Sequence, residues 1–125
     1  MNHKKITNTS VTIGEINIIC TDLDRSLPFY RDVLGFEAIE QEGIAYHLRC
    51  GQTRFLLLPV ASSKLSRPPY GQTPEFSIDL LVDDLTETVR HFQAHQVEFV
   101  SEWQANDKRV YIRDPDGLVF EVIQK

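Results

Sequence analysis

The chain is poor in most of the features that announce specialised chemistry. None of its 125 residues falls in an apolar run approaching the roughly 18–20 that a membrane-spanning helix needs, so no membrane partner is expected. Cysteine occurs only at Cys20 and Cys50, too rarely for a disulfide framework and without the paired spacing of a zinc site. Two unpaired thiols fit a reducing compartment, and a cytoplasmic location is the expectation. Excess positive charge is missing as well. Thirteen Lys and Arg face 18 Asp and Glu, a net charge of −5, which argues against a nucleic-acid footprint. Lys4 and Lys5 are followed by no apolar core, so the amino terminus does not read as a signal peptide. Residues 1–12 are polar and predict a flexible tail.

What the chain does contain is said nearly twice. Ile16 to Leu23 is answered by Ile78 to Leu85 at a constant offset of 62 residues, which also sets Asp22 on Asp84, Ser26 on Thr88 and Tyr30 on Phe92. Beyond these helices the offset shortens to 61, matching Phe36 to Val97. A one-residue slip at a helix end is the change a duplicated unit tolerates best. Two copies of one unit imply a pseudo-twofold molecule with its ligand between the halves.

Within each copy the elements follow from local pattern. Gly14–Cys20 is β-branched and apolar and predicts a strand; Asp22 is placed to cap a helix with Pro28 in its opening turns and Gly35 as its stop. Residues 36–40, 44–50 and 53–60 predict an antiparallel meander, punctuated by Gly43 and Gly51. Ala61 to Glu75, with Ser62, Ser63, Pro68, Pro69, Gly71 and Pro74, reads as a linker between module one (about 14–60) and module two (about 76–124). Module two repeats the order: a strand at 76–82, a helix from a capping box at Asp84 and Glu87, then strands at 97–102, 108–113 and 118–123. The last two are joined by the turn Asp114-Pro-Asp-Gly117. Each half is β-α-β-β-β, and the predicted fold class is α+β in a single domain.

Three segments carry a family resemblance. Asp22 to Phe36 (DLDRSLPFYRDVLGF) resembles the helix motif DLxxSxxFYxxxLGF of the vicinal oxygen chelate superfamily, the glyoxalase, bleomycin-resistance and dioxygenase group. Val82-Asp-Asp-Leu85 opens the second helix as in that group, and Asp114 to Glu121 is similar to its carboxy-terminal DPDGNxxE. The resemblance implies two modules curled into an eight-stranded half-barrel with helices outside. It also implies a homodimer with a small-molecule ligand in the concave cavity near the subunit interface.

Metal-using members of the superfamily place four ligands in that cavity, from the first and last strands of each module. Carried over, the positions are Glu15 and Ser77 on the first strands, Glu121 on the last strand of module two, and an apolar residue within Phe55 to Pro59. The histidines His3, His47, His91 and His95 fall on none of them. No cofactor is expected from this set. Glu15 and Glu121 with water would offer at most a weak hold on a divalent metal such as Mg²⁺ or Mn²⁺.

Strand alternation then maps the cavity. With Glu15 inward, Asn17 follows, and Ile16, Ile18 and Cys20 turn to the helix; with Ser77 inward, Asp79 follows. Glu121 completes an acidic, polar set, with Arg49, Arg54 and Arg113 as candidate counter-charges. Trp103 and Tyr111, together with Tyr46, Tyr70 and Phe55, are candidate walls. The expected function is a metal-independent small-molecule-binding protein taking a cationic or aromatic compound. The alternative is a metal-assisted or carboxylate-based lyase, epimerase, thiol transferase or dioxygenase using Glu15 and Glu121 as catalytic residues.

Overall fold

Alternation of apolar and polar side chains makes Ile16–Ile19 a strand, β1, in which Ile18 is buried and Asn17 and Ile19 are exposed. The protein is described from a computed structural model that covers residues 10–65 and 69–125. Most of the predicted tail, and Pro68 of the linker, lie outside the described residues. Asp22 caps helix α1 (Leu23–Pro28), its Oδ1 accepting the Asp24 N–H at 2.9 Å. Pro28 ends the α-helical part. It has no N–H to offer the fourth carbonyl back, and the chain widens into a π-helical turn at Phe29–Val33, closed by Leu34 N–H to Phe29 O at 3.0 Å. Strands β2 (Glu37–Glu42), β3 (Ala45–Cys50) and β4 (Thr53–Leu58) form the meander and return beside β1, in the order β1-β4-β3-β2.

Module two repeats this topology. Strand β5 (Ile78–Val82), helix α2 (Leu85–Ala94) and strands β6 (Glu98–Phe99), β7 (Arg109–Arg113) and β8 (Val119–Gln124) build a sheet ordered β5-β8-β7-β6. In both sheets the first strand runs parallel to the last and the other pairings are antiparallel. The fold is α+β, and its two four-stranded sheets are hydrogen-bonded separately rather than closed into a barrel. Two local expectations are corrected. Strand β6 is far shorter than residues 97–102, and the capping box at α2 is half formed. Asp84 Oδ1 accepts the Glu87 N–H at 3.1 Å, but the Glu87 carboxylate turns to Arg90, where it finds a full charge.

The core lies on the helix side of both sheets. Ile18, Leu48, Phe55 and Leu57 of module one join Val110, Ile112, Phe120 and Val122 of module two in one apolar cluster with Tyr30 and Phe92. A polar latch crosses the module boundary beside it. Tyr30 Oη donates to Asp114 Oδ2 at 2.6 Å, while Thr21 donates from its N–H and Oγ1 to Asp116 at 3.0 and 2.6 Å. Both aspartates are buried. No helix among the described residues is long and apolar enough to cross a membrane.

The repeat extends to the helix stops. Gly35 leaves the first helix at φ 76°, and Gln96, 61 residues on, leaves the second at φ 58°. Glycine occupies this left-handed position without strain, whereas a β-carbon costs on the order of 1 kcal/mol there. Gln96→Gly is therefore expected to raise stability by about 1 kcal/mol in urea denaturation. An unchanged or lowered midpoint would show that Gln96 makes a compensating contact.

Candidate functional site

Each sheet turns one face to the core and the other away from its helix, and strand register sets which side chains share that open face. In module two Asp79 is level with Glu121 across β5 and β8, and Glu121 with Tyr111 across β8 and β7. Adjacent strands lie about 4.8 Å apart, so the three side chains form one row. Val110, Ile112, Phe120 and Val122 point the opposite way into the core. Tyr70, from the segment between the modules, lies over this row. Its ring centroid is 5.6 Å from that of Tyr111 and its hydroxyl is 2.6 Å from Ser77 Oγ. Arg109 Nη1 stands 3.7 Å from Glu121 Oε1, and its guanidinium is held more firmly charged by hydrogen bonding to Tyr111.

Module one carries the equivalent row with different chemistry. Asn17 is level with Leu56, Leu56 with His47, and His47 with Glu40. Register thus identifies Leu56 as the counterpart of Glu121. His47 is clamped between two carboxylates: Nδ1 lies 2.8 Å from Glu15 Oε2, and Nε2 2.7 Å from Glu42 Oε1. A neutral imidazole would aim a lone pair at one of them, whereas an imidazolium donates to both. Glu42 first, then Glu15, raise the His47 pKa above its ordinary value.

The sign follows from linkage. Stability from this clamp is fully present below the unfolded-state pKa of about 6.5 and is lost as pH rises through the higher folded-state value. Imidazole NMR should therefore give His47 a titration midpoint above about 6.5. Glu42→Gln and Glu15→Gln should each lower it; an unperturbed midpoint would mean the clamp does not form in solution.

The structure brings the expected site residues together in groups. Ser77, Asp79, Tyr111 and Glu121 share the open side of module two, and Asn17 and Ser77 line one cleft of about 390 Å³ between β1 and the β5–β8 pair. Glu15 belongs to the His47 cluster. Trp103, in the loop between β6 and β7, is partly buried against the core. Two of the three proposed counter-charges are engaged elsewhere: Arg49 Nη2 is 2.6 Å from Glu37, and Arg113 donates to the Gly117 carbonyl at 2.8 Å. Sequence reasoning placed His47 in the meander and left its direction open. The alternation of Tyr46 and Leu48 with His47 and Arg49 was the available signal.

The family model of the Glyoxalase/Bleomycin resistance protein/Dioxygenase superfamily matches residues 12–122. The chain belongs to this superfamily. Among solved structures it is similar to the genomically encoded fosfomycin resistance protein FosX of Listeria monocytogenes, with 17% identity, 94% of this chain and 95% of that one covered, and a TM-score of 0.74. It is also similar to lactoylglutathione lyase of Agrobacterium tumefaciens, with 25% identity, 93% and 95% coverage and a TM-score of 0.64. The trypanothione-dependent glyoxalase I of Leishmania major shares 22% identity over 92% of this chain and 87% of that one, with a TM-score of 0.70. No curated protein matches the sequence.

One superfamily structure, the Listeria monocytogenes FosX, is a complex with Mn(II). Of the four positions that the resemblance marks as ligands, three do not fit such an ion. Leu56 has no donor atom, the Ser77 hydroxyl is hydrogen-bonded to Tyr70, and the Glu15 carboxylate is taken by His47. Among the described residues no group of three or more His, Cys, Asp or Glu side chains is arranged to hold a metal. An apolar corner cannot be replaced by geometry alone, because a divalent ion needs nitrogen, sulfur or oxygen ligands around it.

Proposed function

We propose that this superfamily member is a metal-independent small-molecule-binding protein whose ligand, a planar aromatic or cationic compound, lies on the open face of module two. The observation that carries this reading is the Tyr70–Tyr111 pair set beside the Asp79–Glu121 carboxylates. Aromatic faces attract cations through the ring quadrupole, and the two acids outnumber Arg109 on that row. Arg109 is itself more than half exposed and 3.7 Å away, so its pairing with Glu121 is weakly held. Asn17 and Ser77 supply hydrogen bonds at the edge of the site.

A homodimer is part of the proposal. On the open faces Ile19 and Leu81 are 45% and 60% exposed, and Phe76 at the start of module two is 99% exposed. A second copy would cover these side chains and close the cavity. A cytoplasmic location fits the free thiols of Cys20 and Cys50.

The reading is tested by thermal shift on the full chain. Aromatic cations such as phenyltrimethylammonium should raise Tm in the presence of EDTA, while Mn²⁺, Ni²⁺ and Zn²⁺ should not. A stoichiometric metal in the purified protein, lost on Glu15→Ala or Glu121→Ala, would refute metal independence.

The second reading is an enzyme that moves protons. It is favoured by the Glu15–His47 contact of 2.8 Å, which sets a carboxylate and an imidazole within proton-transfer distance on the open face of module one. Glu121 would serve as the second acid or base. Turnover abolished by His47→Gln but insensitive to EDTA would establish this reading in place of simple binding.

A further inference from the structure

Another cavity, of about 470 Å³, shares no lining residue with the rows on the two open faces. It opens where α1 and its π-helical turn meet the exit of α2 and the turn after β7, so both modules line it. Small-molecule sites favour such junctions, and the volume lies within their usual range. We infer that this cavity binds a small organic anion: a carboxylate or phosphate monoester carrying an apolar group.

Three cations from separate segments line it, Arg25 on α1, Lys64 in the linker and Arg113 at the end of β7. Arg113 is only 8% exposed. Of its five N–H donors, one is given to the Gly117 carbonyl, and its Nε stands 3.7 Å from Glu98, beyond hydrogen-bond reach. A buried guanidinium with N–H groups facing a cavity is the donor set that a carboxylate or phosphate fits.

Of the acids in the lining, Glu98 is ion-paired with Arg113 at 3.7 Å, while Asp32 and Asp114 are engaged by other groups. Both Asp32 oxygens are held by Arg31, at 2.8 and 2.9 Å, and Asp114 accepts from Tyr30 and from two backbone N–H groups. Lys64 makes no ion pair among the described residues and is exposed at the mouth. Phe29, Val33, Val97 and Pro115 supply the apolar wall that distinguishes an organic anion from a bare inorganic one.

The test uses the full chain in calorimetric titration with phenyl phosphate, inorganic phosphate and benzyl alcohol. Phenyl phosphate should bind saturably, more tightly than either partial probe, and more weakly as salt is added. Lys64→Glu, an exposed change that leaves the fold intact, should weaken it about tenfold. Tyr111→Ala, outside the lining, should leave it unchanged. No binding, equal binding of benzyl alcohol, or an unaffected Lys64→Glu variant would overturn the inference. So would loss of binding in Tyr111→Ala, which would place the anion on the open face instead.

Discussion

Replacing Asp114 by alanine is expected to destabilise the fold by about 3–5 kcal/mol, because it strips three donors of their acceptor in a buried site. The carboxylate takes the Tyr30 hydroxyl at 2.6 Å and the N–H groups of Asp116 and Leu118 at 2.9 Å each. Tyr30 is fully buried, so its hydroxyl has no water to turn to. The same turn positions Asp116 for Thr21, and its collapse would loosen both of these polar connections between the modules. Urea denaturation of the purified variant is the measurement. A loss below about 1 kcal/mol, the value of an ordinary exposed contact, would show that the latch is not a buried polar network.

The pH behaviour of this carboxyl has a definite sign. Burial, its largest influence, holds the Asp114 pKa above the usual aspartate range, and burial likewise lifts the Tyr30 hydroxyl well above the ordinary tyrosine value. For an acid whose folded-state pKa is raised, the linked stability is fully present below the unfolded-state value and lost as pH rises through the folded one. For Asp114 that loss begins near pH 4, and for Tyr30 near pH 10. Tyr30→Phe should thus be less stable than the parent at neutral pH, yet lose less of its stability above about pH 10. Equal alkaline slopes for the two proteins would contradict the assignment.

Tyr111→Ala is expected to weaken binding of an aromatic cation about 10- to 100-fold, since a cation on a desolvated aromatic face is held by about 2 kcal/mol or more. The ring has two roles in the row on module two: it meets Tyr70 at 5.6 Å and stands level with Glu121. Removing it takes away a stacking surface and the hydrogen-bond partner of Arg109. Arg109→Ala provides a control of opposite sign, because it removes the positive charge nearest Glu121 and should tighten a cation modestly. Titration calorimetry of the parent and both variants with phenyltrimethylammonium tests the pair. If Arg109→Ala weakened binding of this cation as much as Tyr111→Ala, the acidic reading of this face would fail.

Much of the fold was legible because its signals are local. Asp22 and Asp84 are recognisable as caps from their place before apolar stripes, and Gly35 marks its helix end. The helix-side residues Ile18, Ile78, Leu80 and Val82 follow from two-residue alternation, whereas Phe55, expected as a cavity wall, packs in the core. Strand β6 was overestimated because Val97, Phe99 and Val100 have strand-forming side chains, while only two residues find a partner on β7. The candidate site was less legible. His47 was visible as a residue, but its clamp depends on Glu15, 32 positions away, and on a shift in β2 pairing between Ala38 and Glu40.

The sequence by itself determined the duplication, the order of elements in each half, the α+β class and the superfamily. The elements and the class rest on periodicity, caps and turns that act within a few residues, the duplication on the 62-residue offset, and the superfamily on the resemblance of three motif segments. Tertiary structure decided the rest. It aligned Leu56 with Asn17 where module two aligns Glu121 with Asp79, folded Tyr70 back onto Tyr111, and joined the modules through Tyr30 and Asp114, 84 positions apart. Such pairings follow from strand register and from the packing of one helix against the other module's turn. No local pattern encodes them, because each depends on where a distant segment comes to rest.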